Sequence, residues 1–326
     1  MKAVTTRRNT VNSPLSRTEA KNLQKSIAMR IDHLSKTEDR SKDSIRYQLL
    51  FECFLRRIFA HQDSGWVLKG GTALLMRNGH GRFTQDIDLA RAQKWDDTEE
   101  IRQEFEKIAR RKANDPFVFE VTSVRLQSAS TPDGYSTPTI QVKLSARLGA
   151  NVFHAIKIDV SIQRHTQLPL ETVLVEPLFN QVSKTENYDS FYISVIAIES
   201  HLADKICAMY ERHRSGVSNR YRDLADIIQI IRTHNFSIEK LSEILNHETN
   251  RRHMEWPEKL NAPGPDWEKE YERNAPEYDG LPANLHTLQA SLDYAGACLN
   301  EVLEKSRISG IWNHQEFCWE DPFPQG

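Results

Sequence analysis

VLKGGTALLMRNGHGRFTQDIDLA, Val67 to Ala90, is the stretch on which the fold turns. It passes from apolar residues into Gly70, Gly71 and Thr72, then reaches Asp86 and Asp88, separated only by Ile87. An unpaired carboxylate is costly to bury in apolar surroundings, so two of them in such a run need a reason. Trp66 to Leu68 read as a short strand running into Lys69, Thr72 to Met76 as a first helical turn, Asn78 to Arg82 as a loop and Asp86 to Leu89 as a strand. On that strand Asp86 and Asp88 share one face, while Ile87 and Leu89 take the other.

Carboxylates on one face repel each other unless a cation sits between them. A magnesium ion satisfies both, because it takes oxygen ligands and leaves positions for water and substrate phosphates. Gly70 and Gly71 have no β-carbon to obstruct a phosphate, and the helix start behind them aims backbone N–H groups at it. The Thr72 hydroxyl is a candidate for the same cradle, and Arg82 either contacts phosphate from the loop or is a surface arginine. Alternation turns Lys69 away from Leu68 without saying what it faces. A third acid, Asp159, stands in the strand KIDVS. If that strand lies beside the first, Asp86, Asp88 and Asp159 form a carboxylate set for Mg2+ or Mn2+, and the chemistry is metal-assisted phosphoryl or nucleotidyl transfer.

The flanking sequence supplies helices and further strands. SRTEAKNLQKSIAMRIDHL has Ser16 and Glu19 in capping-box spacing, with Leu23, Ile27, Ile31 and Leu34 at helical period. Asp43 to His61 reads as a stronger helix capped by Asp43, and Asp96 to Ala113 as another. FVFEVTSVRL and TIQVKLSARL are two strands joined by STPDGYSTP, and AIKIDVSI is a third. From about residue 194 the pattern turns helical: SVIAIESHLADKICAMYERHR, RYRDLADIIQIIRTH, SIEKLSEILNHETNRR and TLQASLDYAGACLNEVLEKS. Five prolines between Trp256 and Pro282 predict an extended connection with at most short helical turns, and EFCWEDPFPQG a tail that packs back through its aromatics. The expected division is a flexible N-terminus over 1–22, a catalytic α+β unit with a mixed or antiparallel sheet over 23–190, and a helical C-terminal unit over 191–326.

The 326 residues are 39% hydrophobic and 27% charged, ordinary for globular chains. No apolar run approaches the roughly 20 residues that span a bilayer, and the N-terminus lacks the apolar stretch of a secretory signal, so a cytoplasmic protein is expected. Cys53, Cys207, Cys298 and Cys318 are widely spaced and read as reduced thiols. The formal charge of −2 conceals a basic first segment, Arg7 to Arg46, and an acidic stretch from Glu255 to Glu272. Basic residues of the first two helices, or of ERHR and NRYR, are candidates to follow an RNA backbone. His154 and His165 lack the spacing of a zinc pair, and no Walker lysine, dinucleotide fingerprint or nucleophile elbow is present.

LKGGTAL followed by RFTQDIDL resembles the AbiEii/AbiGii toxin family within the polymerase-beta-like nucleotidyltransferase superfamily. The resemblance continues in the helix pair before the motif, in LADKICAMYERHR and RYRDLADIIQI, and more loosely in DWEKEYERNAPEYDGLPANLHTLQASLDYA, spanning residues 24 to 300. It implies a polymerase-beta-like lobe with a helical C-terminal lobe. Asp86 and Asp88 match the metal-binding pair, and Gly71 and Thr72 the phosphate-contacting turn. Lys205 matches a lysine of the third motif, and either Asp223 or Asp226 the acid of the fourth. Threonine stands where the wider superfamily usually has serine. The resemblance further implies a type IV toxin of a phage-defence operon, with an antitoxin encoded alongside, that moves a nucleotide from a nucleoside triphosphate to RNA, the tRNA 3′ acceptor end foremost. Read from the residues alone, Lys205 either pairs with triphosphate oxygens or snorkels at a helix edge. Asp223 and Asp226 share a helix face, one to orient Lys205 or act as a base, the other to pair with Arg220 or Arg222. Transfer to a protein or small-molecule hydroxyl, and a nucleotide-binding module without turnover, remain the alternatives.

Overall fold

A computed structural model describes residues 16–61, 64–81, 83–91, 97–127, 139–162, 169–181, 188–213 and 216–321. Helix α1 (Arg17–Thr37) starts on the expected capping box, Ser16 accepting from the Glu19 N–H while Glu19 accepts from that of Ser16. It therefore begins inside the segment expected to be flexible. Helix α2 (Lys42–Ile58) is capped by Ser41 rather than Asp43, because the extended Ser41 hydroxyl reaches the Ser44 N–H at 3.0 Å. Asp43 instead lies in the first turn and pairs with Arg46.

The chain continues through β1 (Trp66–Lys69), α3 (Gly70–Asn78), β2 (Asp86–Arg91), α4 (Thr98–Ala109), β3 (Phe117–Gln127), β4 (Thr139–Leu148), β5 (Asn151–Ile162), β6 (Leu170–Val175) and β7 (Phe191–Ile196). These strands form one mixed sheet in the order β3-β4-β5-β2-β1-β7-β6. The β1–β7 and β2–β5 pairs are parallel and the others antiparallel. Leu68, Ile87, Leu89, Val142, Ile158, Val160 and Val195 all point to one face and are fully buried, packed with apolar residues of α1, α2 and α4. The alternate positions of the same strands, including Asp86, Asp88 and Asp159, lie on the opposite face.

Two strands of this sheet lie where the sequence pattern does not show them. β6 was not anticipated, and β7 occupies residues expected as the start of a helix or its approach. FYISVI has alternating burial and joins the sheet between β1 and β6, so the sheet-bearing unit runs past the expected boundary at 190. The core behind the sheet ends at Val195, and a second core begins at Ile198, with Leu74 of α3 its one earlier member among the described residues.

That second core is built from α5 (Ile198–Tyr210), α6 (Tyr221–Thr233), β10 (Phe236–Ser237), α7 (Ile238–Arg251), α8 (Trp267–Asn274) and α9 (Leu288–Leu303), with the short pair β8 (Arg212–His213) and β9 (Gly216–Val217) linking α5 to α6 outside it. The proline-rich connection thus contains a two-turn helix, α8, whose Trp267 and Tyr271 are fully buried. Trp267 Nε1 donates to the Ser218 carbonyl at 2.7 Å, and Tyr271 shares a hydrogen bond with Ser291. The described part of the tail, 316–321, packs back through its aromatics: β11 (Ile311–Asn313) and β12 (Cys318–Glu320) form a sheet with β10, and Trp312 and Trp319 pack on Phe236.

Candidate active site

The register of the central strands decides which polar residues meet. Asp86 stands beside Lys157 and Asp88 beside Asp159 across the parallel β2–β5 pair. Across the antiparallel β1–β2 pair, Lys69 stands beside Asp88. Paired residues in a sheet project to the same side, so three carboxylates and two lysines share one face. Their side chains have separate partners. Asp86 accepts from the Thr84 hydroxyl at 3.3 Å and lies 3.9 Å from Lys157 Nζ, while Asp159 accepts from Gln141 Nε2 at 3.2 Å. Desolvation is the main cause that raises the Asp88 pKa, opposed by Lys69 and reinforced by Asp86. Asp159 is raised for the same first reason, with the Gln141 hydrogen bond opposing and Asp86 adding to the rise.

The turn between β1 and α3 is shaped around Asp88. Gly70 has φ +67°, a conformation that a β-carbon disfavours, and a β-carbon there would fall 1.9 Å from Asp88 Oδ2. Gly71 follows in the first turn of α3. Thr72 lies in the same first turn, where its buried hydroxyl donates to the Asp86 carbonyl at 2.5 Å, tying the start of α3 to the start of β2. Arg82 lies outside the described residues.

The helical lobe contributes a buried ion cluster. Lys205 on α5 is 2.8 Å from Asp223 Oδ1 and 2.9 Å from Asp226 Oδ2, both on α6, and all three residues are almost fully buried. Lys205 thus bridges the two acids, Asp223 and Asp226, that the sequence offers as alternatives. Asp223 also accepts from Arg220 Nε at 2.7 Å. The Lys205 ammonium acts through space on Asp88, where it opposes the rise in pKa. Next to Lys205 in the chain, Asp204 pairs with Arg252; burial pushes Asp204 up, but Arg252 and Lys205 together pull it well below the carboxylate range. His201 is buried as well, and desolvation lowers its pKa to about 3, so its ring is neutral.

Lys69, Thr84, Gln141 and Lys157 are the members of this face that motif reasoning did not single out. Strand alternation carries the signal for three of them: Lys69 opposes Leu68, Gln141 lies between Ile140 and Val142, and Lys157 lies between Ile156 and Ile158. Three carboxylates in adjacent register, two of them raised by burial and mutual repulsion, have the donor chemistry for a hard divalent ion. In the conformation described, they are not drawn together into a ligand cluster, and among the described residues no group of three or more His, Cys, Asp or Glu is. The one-face arrangement of the three carboxylates, with Gly70 leaving room for that of Asp88, fits such an ion in chemistry.

A family model described as nucleotidyl transferase AbiEii toxin, type IV TA system, matches residues 53–296. Among solved structures, JHP933 from Helicobacter pylori is 14% identical, with 82% of this chain and 94% of that chain covered at a TM-score of 0.45. A second H. pylori chain, provisionally designated a nucleotidyltransferase, is 16% identical, with 82% and 96% covered at a TM-score of 0.42. No curated protein matches the chain.

Proposed function

Because the chain belongs to the AbiEii nucleotidyl transferase toxin family of type IV toxin–antitoxin systems, we propose that it transfers a nucleotide from a nucleoside triphosphate to an RNA 3′-hydroxyl, with the tRNA acceptor end as the target. The observation that carries this reading is the register of β2 and β5, with Asp88 beside Asp159 and Asp86 two residues away on the same face. Asp86, Asp88 and Asp159 would hold Mg2+ or Mn2+, which when bound neutralises triphosphate charge and lowers the pKa of an attacking hydroxyl.

The chain's own residues supply the rest. Gly70 leaves room for the Asp88 carboxylate to lie against the turn, and the backbone N–H groups at the start of α3 receive phosphate oxygens. Thr72 holds that helix start against β2, so the phosphate turn and the carboxylates keep a fixed separation. Lys69 stands beside Asp88 across the β1–β2 pair, on the side that faces the same triphosphate. Lys205, held by Asp223 and Asp226, is a second fixed positive centre near Asp88. Its two carboxylates set the direction of its ammonium.

The same reading makes the protein the toxin of a phage-defence pair with an antitoxin encoded alongside, acting in the cytoplasm. Among the described residues no helix is long and apolar enough to cross a membrane. Incubation of the purified chain with α-labelled nucleoside triphosphates, a divalent ion and total RNA tests the acceptor. Label in small RNA of tRNA size is expected; label in protein, or in no macromolecule with either Mg2+ or Mn2+, contradicts it.

A further inference from the structure

The face that carries the carboxylates continues across β5, β4 and β3 toward one edge of the sheet. There the polar positions are cationic. Lys157 is paired in register with Lys143, and Arg125 stands beside Gln141, one step along from Lys143. With strands about 4.8 Å apart, these three side chains form a strip about 10 Å long that begins at Asp86 and Asp159. Lys143 and Arg125 are exposed, and neither side chain pairs with an acid among the described residues. Glu120, the acid of β3 on the same face, is taken by Arg147 at 3.6 Å.

The cations expected to follow RNA are placed differently. α1 and α2 pack on the opposite face of the sheet. Lys36 and Lys42 are both held by Asp32, Arg46 pairs with Asp43, and Arg40 is buried against Gln48 at 2.7 Å. Arg220 is committed to Asp223. Unpaired positive charge that is both exposed and in register with the carboxylates is found on β4 and β3.

We propose that Lys143 and Arg125, continued by Lys157, form the phosphate path of a single-stranded polynucleotide acceptor and lead its 3′ end to Asp159. This rests on the reading of RNA as acceptor and adds to it the surface that holds the strand. An extended backbone needs a line of separated cations, which strands supply at regular spacing. Side-by-side lysines on one face repel each other in the free protein, and neutralisation by phosphates removes that repulsion. Lys157 lies near Asp86 and so marks where the path meets the site.

The test is binding of a fluorescent single-stranded oligouridylate of about 12 nucleotides to the full chain across a salt series. The native protein is compared with the Lys143→Gln/Arg125→Gln double variant and with Lys21→Gln/Lys25→Gln, which removes two exposed charges from α1 on the opposite face. Each single-strand phosphate contact contributes about 0.7 to the slope of log affinity against log salt. The strand variant is expected to lose about 1.4 of that slope and at least tenfold in affinity at low salt, with nucleoside triphosphate binding and circular dichroism unchanged. The helix variant is expected to match the native protein. Equal slopes for the native and strand variants, with RNA still bound, overturn the path while leaving RNA as acceptor. Failure of the native protein to bind the oligonucleotide overturns both. Tighter binding of poly-glutamate than of the oligonucleotide overturns the path in favour of an acidic protein partner.

Discussion

The Asp88 carboxylate lies so close over Gly70 that a β-carbon on Gly70 would meet Oδ2 at 1.9 Å. A single methyl group therefore reaches the centre of the proposed site. Gly70→Ala also places alanine at φ +67°, a strain of roughly 1–2 kcal/mol. We predict a loss of about 100-fold in nucleotide transfer, the scale of an ångström-sized displacement of a catalytic group. Gly79→Ala is the control, since Gly79 has φ +71° and nothing within 4 Å of its would-be β-carbon. It should lower thermal stability by a similar amount and keep its activity. Equal activity in the two variants would show that the Gly70 contact does not matter.

Lys205 faces two carboxylates in an almost fully buried site. Removing the ammonium leaves two buried acids without their shared partner, a change that typically costs about 3–5 kcal/mol. Lys205→Met is predicted to lower the urea midpoint by that scale, and adding Asp226→Asn to recover part of it. A single variant with native stability would mean that water or Arg220 replaces the ammonium without loss.

Glu52 supplies a pH test away from the site. It is buried on α2, accepting from the Leu178 N–H and from Gln48 Nε2, each at 3.0 Å, and desolvation raises its pKa from 4.5 to about 7. In the folded chain it holds its proton more tightly than in the unfolded chain. Its stabilising contribution is therefore complete below pH 4.5 and is lost as pH rises to 7, by about 3 kcal/mol at 1.36 kcal/mol per unit. Glu52→Gln should flatten that part of the curve of urea midpoint against pH. An unchanged slope between pH 4.5 and 7 would assign it to other groups.

What the sequence made legible follows from physical range. The glycine turn, the D-x-D strand and the capped helix α1 depend on local spacing, and each appears where expected. β7 was hidden because SVI runs without a break into the apolar stripe of α5, so a strand and a helix share one hydrophobic run. α8 was hidden because prolines mark the connection, while Trp267 and Tyr271, which fix the helix by burial, act over long sequence distances. Thr72 shows a different limit. A hydroxyl after two glycines suits phosphate or a carbonyl equally well, and only the approach of β2 gives it the Asp86 carbonyl. Likewise the spacing of Asp223 and Asp226 shows a shared helix face but not that α5 brings one lysine to both.

The central claim is that the carboxylate face of β2 and β5 carries nucleotide transfer. Asp88→Asn alters the charge of the residue beside Asp159 and Lys69 while nearly preserving its shape. The most direct measurement is the transfer of α-labelled nucleotide to RNA by the native chain and by Asp88→Asn, with matched circular dichroism and Mg2+ or Mn2+ supplied. The account predicts label in RNA with the native chain and a loss of at least about 100-fold with the variant. Transfer by Asp88→Asn at the native rate would contradict it.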